Sequence, residues 1–353
     1  MFEIQTYKKR FDANKVNVLQ SGKFPYIVRM GNNNGQKGFL DEDEVFLNEG
    51  NTISFGQDTA TMFYQETPYF TGDKIKILKC KYKRFSKKNA QFFIAMMQKS
   101  FSSFSWGSSS FSVKIVSEQV VNLPITTDNK IDFDFMESFL SELEAERISE
   151  LEAYLTATGL KDYNLTAEEE KALADFENNK IEFAEFTYQS IFNKIVQGRR
   201  LKKEDQLKGN IPFVMAGTTN TGVVNYISNP VASFPSNSIT IDIFGNTFYR
   251  NYAFGAGDDT GVYWNDKHRY SKEMMLFLAT AMEKSISGKY SYGKKLRSSQ
   301  SFDFKMNLPV SNSKPDYDAM ATLISAVQKL VIRDVVLYAD RNAKATKQVA
   351  DNN

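Results

Sequence analysis

Polar and apolar positions along the chain change period in the same order in each half. Short runs rich in β-branched and aromatic residues, such as Phe24 to Met30 and Ser238 to Ile243, lie between Asn/Gly and Gly/Asp turns and predict twisted antiparallel strands. Over Lys87 to Ser100 and Lys272 to Ser285, apolar residues recur at three-and-four spacing, which predicts an amphipathic helix in each half. A further strand is expected to run into Asn122-Leu123-Pro124 and Asn307-Leu308-Pro309, and a longer helix to end each half. In the first long helix Met136, Phe139, Leu140, Leu143, Ile148, Leu151 and Leu155 approximate a seam; Met320, Leu323, Ile324, Val327, Val331, Val335 and Tyr338 do so in the second. Two such seams predict helices that pair as an antiparallel coiled coil, with Glu142, Glu144, Glu146 and Glu150 facing Lys329, Arg333 or a partner. The first helical region breaks over Thr156 to Gly159. Thr166, as an N-cap, starts another helix expected to run towards Ile195.

Sliding the chain against itself by 184 to 187 residues turns this parallel into a duplication. Phe24-Pro25-Tyr26-Ile27 pairs with Ile211-Pro212-Phe213-Val214, and each is trailed by a polar loop, Asn32-Asn33-Asn34-Gly35 or Thr218-Thr219-Asn220-Thr221-Gly222. Thr52 to Phe55 aligns with Ser238 to Ile241, Phe63-Tyr64 with Phe248-Tyr249, and Gly72-Asp73 with Gly257-Asp258. Ser86 to Ser100 falls on Ser271 to Ser285, Phe104-Ser105-Trp106-Gly107 on Tyr290-Ser291-Tyr292-Gly293, and Asp132-Phe133-Asp134 on Asp316-Tyr317-Asp318. The expected fold is α+β: two tandem pseudo-repeated modules of twisted sheet and helices, at 1–133 and 197–314, with helical spacers at 134–196 and 315–353.

Composition narrows the chemistry. A chain of 353 residues, 42% hydrophobic and 14% aromatic, is enough for two cores. The single cysteine, Cys80, cannot form an internal disulfide, and no basic segment followed by an apolar run opens the chain, so a cytoplasmic location without a membrane span is expected. One histidine, His268, and one cysteine leave no Cys/His pair for zinc or a catalytic dyad, and His268 between Lys267 and Arg269 reads as a solvated residue. Asp41-Glu42-Asp43-Glu44 reads as a solvated run, and Phe254-Gly255-Ala256-Gly257 as a turn. No G-x-S-x-G is present, and Asn229-Pro230-Val231-Ala232 lacks the second proline and ring of an adenine methyltransferase motif. Net charge is +2, yet residues 137–187 hold fourteen acidic and four basic residues, leaving the remainder at +12. Such a remainder is the footprint of a surface that meets a polyanion.

Two strand-rich modules, each followed by a helix able to pair with the other, resemble the specificity (S) subunits of restriction–modification systems, type I and the related type IIB enzymes. The resemblance rests on Pro25-Tyr26-Ile27 and Pro212-Phe213-Val214, on Phe55-Gly56-Gln57-Asp58-Thr59 and Phe244-Gly245-Asn246-Thr247, on Leu123-Pro124 and Leu308-Pro309, and on the spacer segment Leu155 to Tyr163. The second spacer departs from the pattern in lacking that segment. The resemblance implies a non-catalytic chain that binds double-stranded DNA, reads a bipartite target with one half-site per target recognition domain, and docks a DNA methyltransferase and restriction subunits, separate or fused, through its helices. S-adenosylmethionine and Mg2+ would then reside on those partners.

Base edges in the major groove are read by Asn and Gln at adenine and by Arg and Lys at guanine, at about 1–3 kcal/mol per good pair. The loops offer Arg29, Asn32, Asn33, Asn34 and Gln36, then Gln57, Asp58 and Thr59, in the first module, and Thr218, Thr219, Asn220 and Asn225, then Asn246 and Arg250, in the second. Phosphate contacts are expected from Lys79, Lys81, Lys83, Arg84, Lys87 and Lys88, and from Lys289, Lys294, Lys295 and Arg297. Trp106, Tyr290 and Tyr292 lie in Ser/Gly/Lys-rich loops where rings stack on sugars or wedge a base step. Roughly twenty residues from Asp134 to Tyr154 would span about 30 Å as a helix, near the ~34 Å of one DNA turn. A duplicated protein- or glycan-binding module is the rival reading, and a magnesium nuclease using Asp316, Asp318 and Glu283 a second; aligned aspartates at helix starts speak against the latter.

Overall fold

The computed structural model describes residues 1–101, 112–230 and 233–351, the last seven of these by their backbone alone; Trp106 lies outside the described residues. The first module contains β1 (Phe2–Thr6), β2 (Phe24–Ile27), β3 (Gln36–Leu40), β4 (Thr52–Gly56), β5 (Met62–Gln65), β6 (Phe70–Thr71) and β7 (Ile75–Cys80), then α1 (Lys87–Phe101), α2 (Val113–Glu118) and α3 (Phe133–Ala157). Its sheets run β1-β7-β4-β5 and β3-β2-β6. After α4 (Ala167–Glu177), β8 (Phe183–Thr187) and α5 (Tyr188–Ile191), the second module contains β9 (Lys194–Gln197), β10 (Lys208–Val214), β11 (Val223–Ile227), β12 (Ser233–Phe234), β13 (Ser238–Asp242), β14 (Thr247–Arg250), β15 (Phe254–Ala256) and β16 (Thr260–Trp264). It ends with α6 (Lys272–Ile286), β17 (Lys305–Ser311), β18 (Lys314–Pro315) and α7 (Tyr317–Asp351). Its sheets run β9-β16-β13-β14 and β11-β10-β15-β12, the same two orders with β12 added at one edge, and a third sheet, β18-β17-β8, joins them.

The duplication extends to registry. In each module one sheet includes a parallel pair, β2 with β6 (Tyr26 to Phe70) and β10 with β15 (Phe213 to Gly255). The central strand pairs Ile53 with Leu78 in one case and Ile239 with Tyr263 in the other. Alternation along that strand sets up everything above it. Ile53 and Phe55 share a core with Phe93, Ile94 and Met97 of α1, and Ile239 and Ile241 share one with Leu278 and Met282 of α6. Burying each such side chain contributes about 1.5–3 kcal/mol. Thr52, Ser54, Ser238 and Thr240 project to the opposite face and are also buried. Polar groups there are covered by protein, so they must find partners inside it.

Each long helix begins on its own module's core. Phe133 and Met136 belong to the first core, and Met320 to the second. Asp132 and Asp316 cap these helices by accepting from the amides of Phe135 and Ala319, both at 2.9 Å. The expected coiled-coil seam on α7 is rotated. Met320, Leu323, Ala326, Val336 and Ala339 are buried, whereas Val327, Val331, Val335 and Tyr338 are exposed, Val331 at 74%. Phe139 and Leu143 of the α3 seam are exposed as well. The chain divides into two compact units, Met1–Leu151 with the residues after Arg341, and Glu152–Arg341; the boundary falls within α3.

Three further expectations give way. The helix started by Thr166 stops at Glu177 because Asn179 takes a left-handed conformation and the alternating Phe183–Thr187 joins β17 as β8. Before Leu123-Pro124 the described chain forms α2 rather than a strand, with only an isolated bridge between Ile125 and Ile131 beyond it. Lys329 faces neither Glu142, Glu144, Glu146 nor Glu150. It pairs instead with Glu169 at 2.9 Å and Asp162 at 3.6 Å. That pairing grows out of the helix cap: Thr166 Oγ1 accepts from the Glu169 amide, and Glu169 Oε2 accepts from the Thr166 amide at 2.7 Å. The carboxylate, only 5% exposed, also accepts from Ser325 Oγ at 2.6 Å, so one capping box fastens α4 to α7. Lys161 adds a second tie, reaching Glu152 at 3.6 Å and Asp340 at 3.5 Å.

Burial alone would raise the Glu169 pKa, but hydrogen bonds from Ser325, the Thr166 amide and Lys329 outweigh it and bring the value down to about 2 from 4.5. A carboxylate bound more acidic in the folded state contributes stability at pH values above its unfolded value, and that contribution is lost as pH falls through its folded value. Thermal unfolding of wild type and Glu169→Gln should therefore differ fully above pH 4.5, and the difference should close as pH falls towards about 2. A gap constant between pH 6 and about 2 would contradict the assignment. Lys329→Met should cost about 1–3 kcal/mol at neutral pH, because it strips a donor from a buried carboxylate.

Candidate nucleic-acid interface

The loop between β2 and β3 is closed by Val28 N donating to Gly35 O at 2.8 Å, and its counterpart between β10 and β11 by Met215 N donating to Gly222 O at 2.9 Å. Six residues lie between the closing positions in both, so the loops have equal length. Within them Asn33 and Asn34, and Asn220 and Thr221, occupy the left-handed region at φ 46°, 53°, 47° and 51°. Asparagine visits this region readily, whereas β-branched Thr221 is strained there, at a cost of about 1–3 kcal/mol. Glycine follows in each case, at φ 73° and 83°; a Cβ on Gly222 would lie 2.6 Å from Met215 O. Asn33 Nδ2 donates to Gln36 O at 2.8 Å, and Asn220 Nδ2 to Val223 O at 3.4 Å. Asn34 Nδ2 donates to Tyr64 O at 3.2 Å. Asn32, Thr218 and Thr219 remain exposed at the loop tips, and Gln36 is half-buried behind its tip.

Beside the first loop lies the turn after β4. Asp58 accepts from Arg29 and, at 2.8 Å, from Lys74; Arg29 also approaches Asp73 at 3.9 Å, which Arg10 meets at 3.3 Å. The Lys74 hydrogen bond, with the charges of Lys74 and Arg29, holds Asp58 below the usual carboxylate range despite its partial burial. Arg10, Arg29, Asp58 and Asp73, together with Tyr26 and Thr59, line a cavity of about 520 Å3. Gln57 is half-buried, and exposed Thr59 pairs with Thr61 at 2.9 Å. The expected readers Arg29, Asp58 and Thr59 are thus brought together, and Lys74 joins them.

In the second module the turn is organised by Asp242, 4% exposed, which accepts from the amides of Gly217, Phe244 and Asn246 and from Asn246 Nδ2 at 2.7 Å. Asn246 is therefore committed to the turn. Asn225 donates to Gln206 Oε1 at 2.8 Å across its strand. Arg250 contradicts the expectation of a base contact most clearly: it is 1% exposed and turned inward beneath the loop. The basic loop lies against this turn, through Leu296 N donating to Ile243 O at 2.9 Å and Arg297 donating to Asp258 O. Tyr292 is 82% exposed with Lys295 Nζ 5.0 Å from its ring centre, and Lys294 is 5.7 Å from that of Tyr290, which stacks on Phe304. Lys289 Nζ donates to Ser285 O at 2.7 Å and closes α6.

The corresponding cations of the first module are differently placed. Because β7 runs antiparallel to β4, Lys81 to Lys88 begin at the strand end remote from Asp58. Arg84 forks onto Asp134 at 3.1 and 2.5 Å, Lys87 pairs with Glu66 at 2.8 Å, and Lys79 pairs with Glu49 at 2.5 Å. Arg84, Lys87 and Lys79 are thus each paired with a carboxylate at the surface. Lys81, Lys83 and Lys88 are exposed and form no ion pair among the described residues. Asp41 to Glu44 are exposed, with Asp43 capping Val45 and Glu44 meeting Lys23 at 2.9 Å; His268 is exposed beside Tyr270. Among the described residues no group of three or more His, Cys, Asp or Glu side chains is arranged to hold a metal ion.

Sequence reasoning missed Gln65, Thr221, Lys74 and Asp242. The signal for the first lay in the duplication, since Gln65 and Arg250 directly follow the matched Phe63-Tyr64 and Phe248-Tyr249.

A profile of the type I restriction modification DNA specificity domain matches residues 1–153 and again 180–331. The specificity subunit S.BcgI of a type II restriction enzyme from Heyndrickxia coagulans is 27% identical over 333 residues, covering 92% of this chain and 91% of that protein. Among solved structures, the S subunit of a type I restriction-modification system from M. genitalium superposes with a TM-score of 0.54 at 15% identity, covering 99% of this chain and 92% of that one. With nearly all of both modules matched in tandem, the chain belongs to the type I restriction modification DNA specificity domain family, and carries two copies of the domain.

Proposed function

We propose that each module reads one half-site of a bipartite double-stranded DNA target, through its left-handed loop and the neighbouring turn. The observation that carries this reading is the loop built twice: equal length, two consecutive left-handed residues, a closing glycine and an exposed polar tip, with different side chains at the tip. A shared backbone with changed side chains is what two readers of different sequences need. In the second module Lys294, Lys295 and Tyr292 flank the turn and supply contacts to phosphates and sugars; Lys81, Lys83 and Lys88 do so more loosely in the first.

In this reading the chain performs no bond chemistry of its own. Methylation and cleavage belong to DNA methyltransferase and restriction subunits, separate or fused, which bring S-adenosylmethionine and Mg2+, in a cytoplasmic setting. Val327, Leu330, Val331 and Val335 along α7, and Phe135, Phe139 and Leu143 along α3, expose apolar surface on which those subunits dock. Among the described residues no helix is long and apolar enough to cross a membrane.

Fluorescence anisotropy with random-sequence duplex, at two salt concentrations and with the methyltransferase partner present, tests the reading. Affinity should fall steeply with salt, and the triple variant Lys294→Gln, Lys295→Gln, Arg297→Gln should flatten the log–log slope by about one unit per lost contact. Binding indifferent to salt would contradict DNA recognition and favour a protein- or glycan-binding module. Arg84→Gln should lower thermal stability and leave the salt slope unchanged, since Asp134 already holds the guanidinium; a flattened slope would return Arg84 to the interface.

A further inference from the structure

Both modules carry a large polar side chain buried at the end of the strand beneath the loop. Gln65 closes β5 opposite Thr52, and Arg250 closes β14 opposite Ser238; the two positions are equivalent, and they are 4% and 1% exposed. Gln65 Nε2 donates to Asn34 O at 3.2 Å and to Ser54 Oγ at 3.0 Å. Arg250 donates to Thr221 O at 2.5 Å and to Thr240 Oγ1 at 3.1 Å. Asn34 and Thr221 are the second left-handed residues of their loops, and Ser54 and Thr240 are matched positions on the central strand. One amide and one guanidinium therefore make the same two bonds.

A core that only needed filling would use an apolar side chain there. Arg250 is instead a buried cation with no carboxylate partner among the described residues, held by Thr221 Oγ1 at 3.0 Å, Tyr252 Oη at 3.1 Å and the Phe248 ring at 5.3 Å. Burying such a group is strongly unfavourable unless its hydrogen bonds are filled. Two of its four hydrogen bonds go to Thr221 of the loop. We propose that Gln65 and Arg250 are equivalent positioning residues: each clamps, from the sheet side, the carbonyl of its loop's second left-handed residue, and so sets the selectivity of its own half-site without touching DNA. A residue in the left-handed region persists only when its surroundings hold it there, and displacement of a readout loop by about 1 Å is enough to break paired contacts to a base edge.

The proposal rests on the half-site reading above, and the experiment separates the two. The full chain with its methyltransferase partner is used to select from a random duplex pool, followed by sequencing, for wild type, Gln65→Met, Arg250→Met and Arg250→Gln. Gln65→Met should reduce enrichment of one motif by about tenfold or more and leave the other intact; Arg250→Met should do the reverse. Arg250→Gln, which installs the other module's side chain, should restore most of the enrichment. Low-salt affinity for random duplex should stay within about twofold of wild type, because the phosphate contacts are untouched. The unaffected motif in each variant reports that the other module has folded, and a thermal unfolding profile matching wild type in amplitude reports that the altered module has. Equal weakening of both motifs, unchanged selection in Arg250→Met, or an Arg250→Gln as defective as Arg250→Met would overturn the positioning role alone. Failure of wild type to enrich any motif would overturn the half-site reading, and the positioning role with it.

Discussion

A strand buried on both faces, one apolar and one polar, is the constraint on which each module depends. Ile53 and Phe55, or Ile239 and Ile241, fix that strand against a helix by burial, which is strong and non-directional. Directionality comes from the other face, where Ser54 with Gln65 and Thr240 with Arg250 have no water to bond and must reach protein. Their outlet is the carbonyl of a loop residue in a conformation the free chain would avoid. Core packing and loop shape are thereby coupled through one strand, and the loop tip can vary in sequence while its backbone stays put.

The charge distribution follows the same division of labour. Cations close to carboxylates, such as Arg84 with Asp134 and Lys329 with Glu169, lock helices to modules or to one another. Among those left without carboxylates, Lys294 and Lys295 stand on an exposed loop, whereas Arg250 is buried beneath one. A nearly neutral total therefore conceals a sorted surface, with acidic residues concentrated on the helical spacer and basic ones on the modules.

How much of this was legible in the sequence depended on whether the signal was periodic or relational. Helices at 87–100 and 272–285 were readable to within one residue because an apolar stripe repeats at 3.6. The polar loops were readable because duplication placed them in the same position twice, even though Asn-rich strings alone indicate no more than a turn. Arg250 was misread because basic residues are so seldom buried that exposure was the natural inference; only its neighbours Thr240 and Thr221 reveal the pocket made for it. The seam on α7 was misread by less than a turn, because apolar residues lie on more than one face of that helix and periodicity alone does not say which face is covered. Lys329 found Glu169 through a capping box whose carboxylate turns inward, a relation between residues 160 positions apart that no local pattern encodes.

The central claim is that one chain holds two independent readers of DNA. Its most direct test is selection from a random duplex pool by the intact chain bound to its methyltransferase, with sequencing of the retained fraction. Two short motifs separated by a fixed gap of unselected bases, with affinity falling as salt rises, is the result the account predicts. A single uninterrupted motif, or no retention at low salt with the partner present, would contradict it.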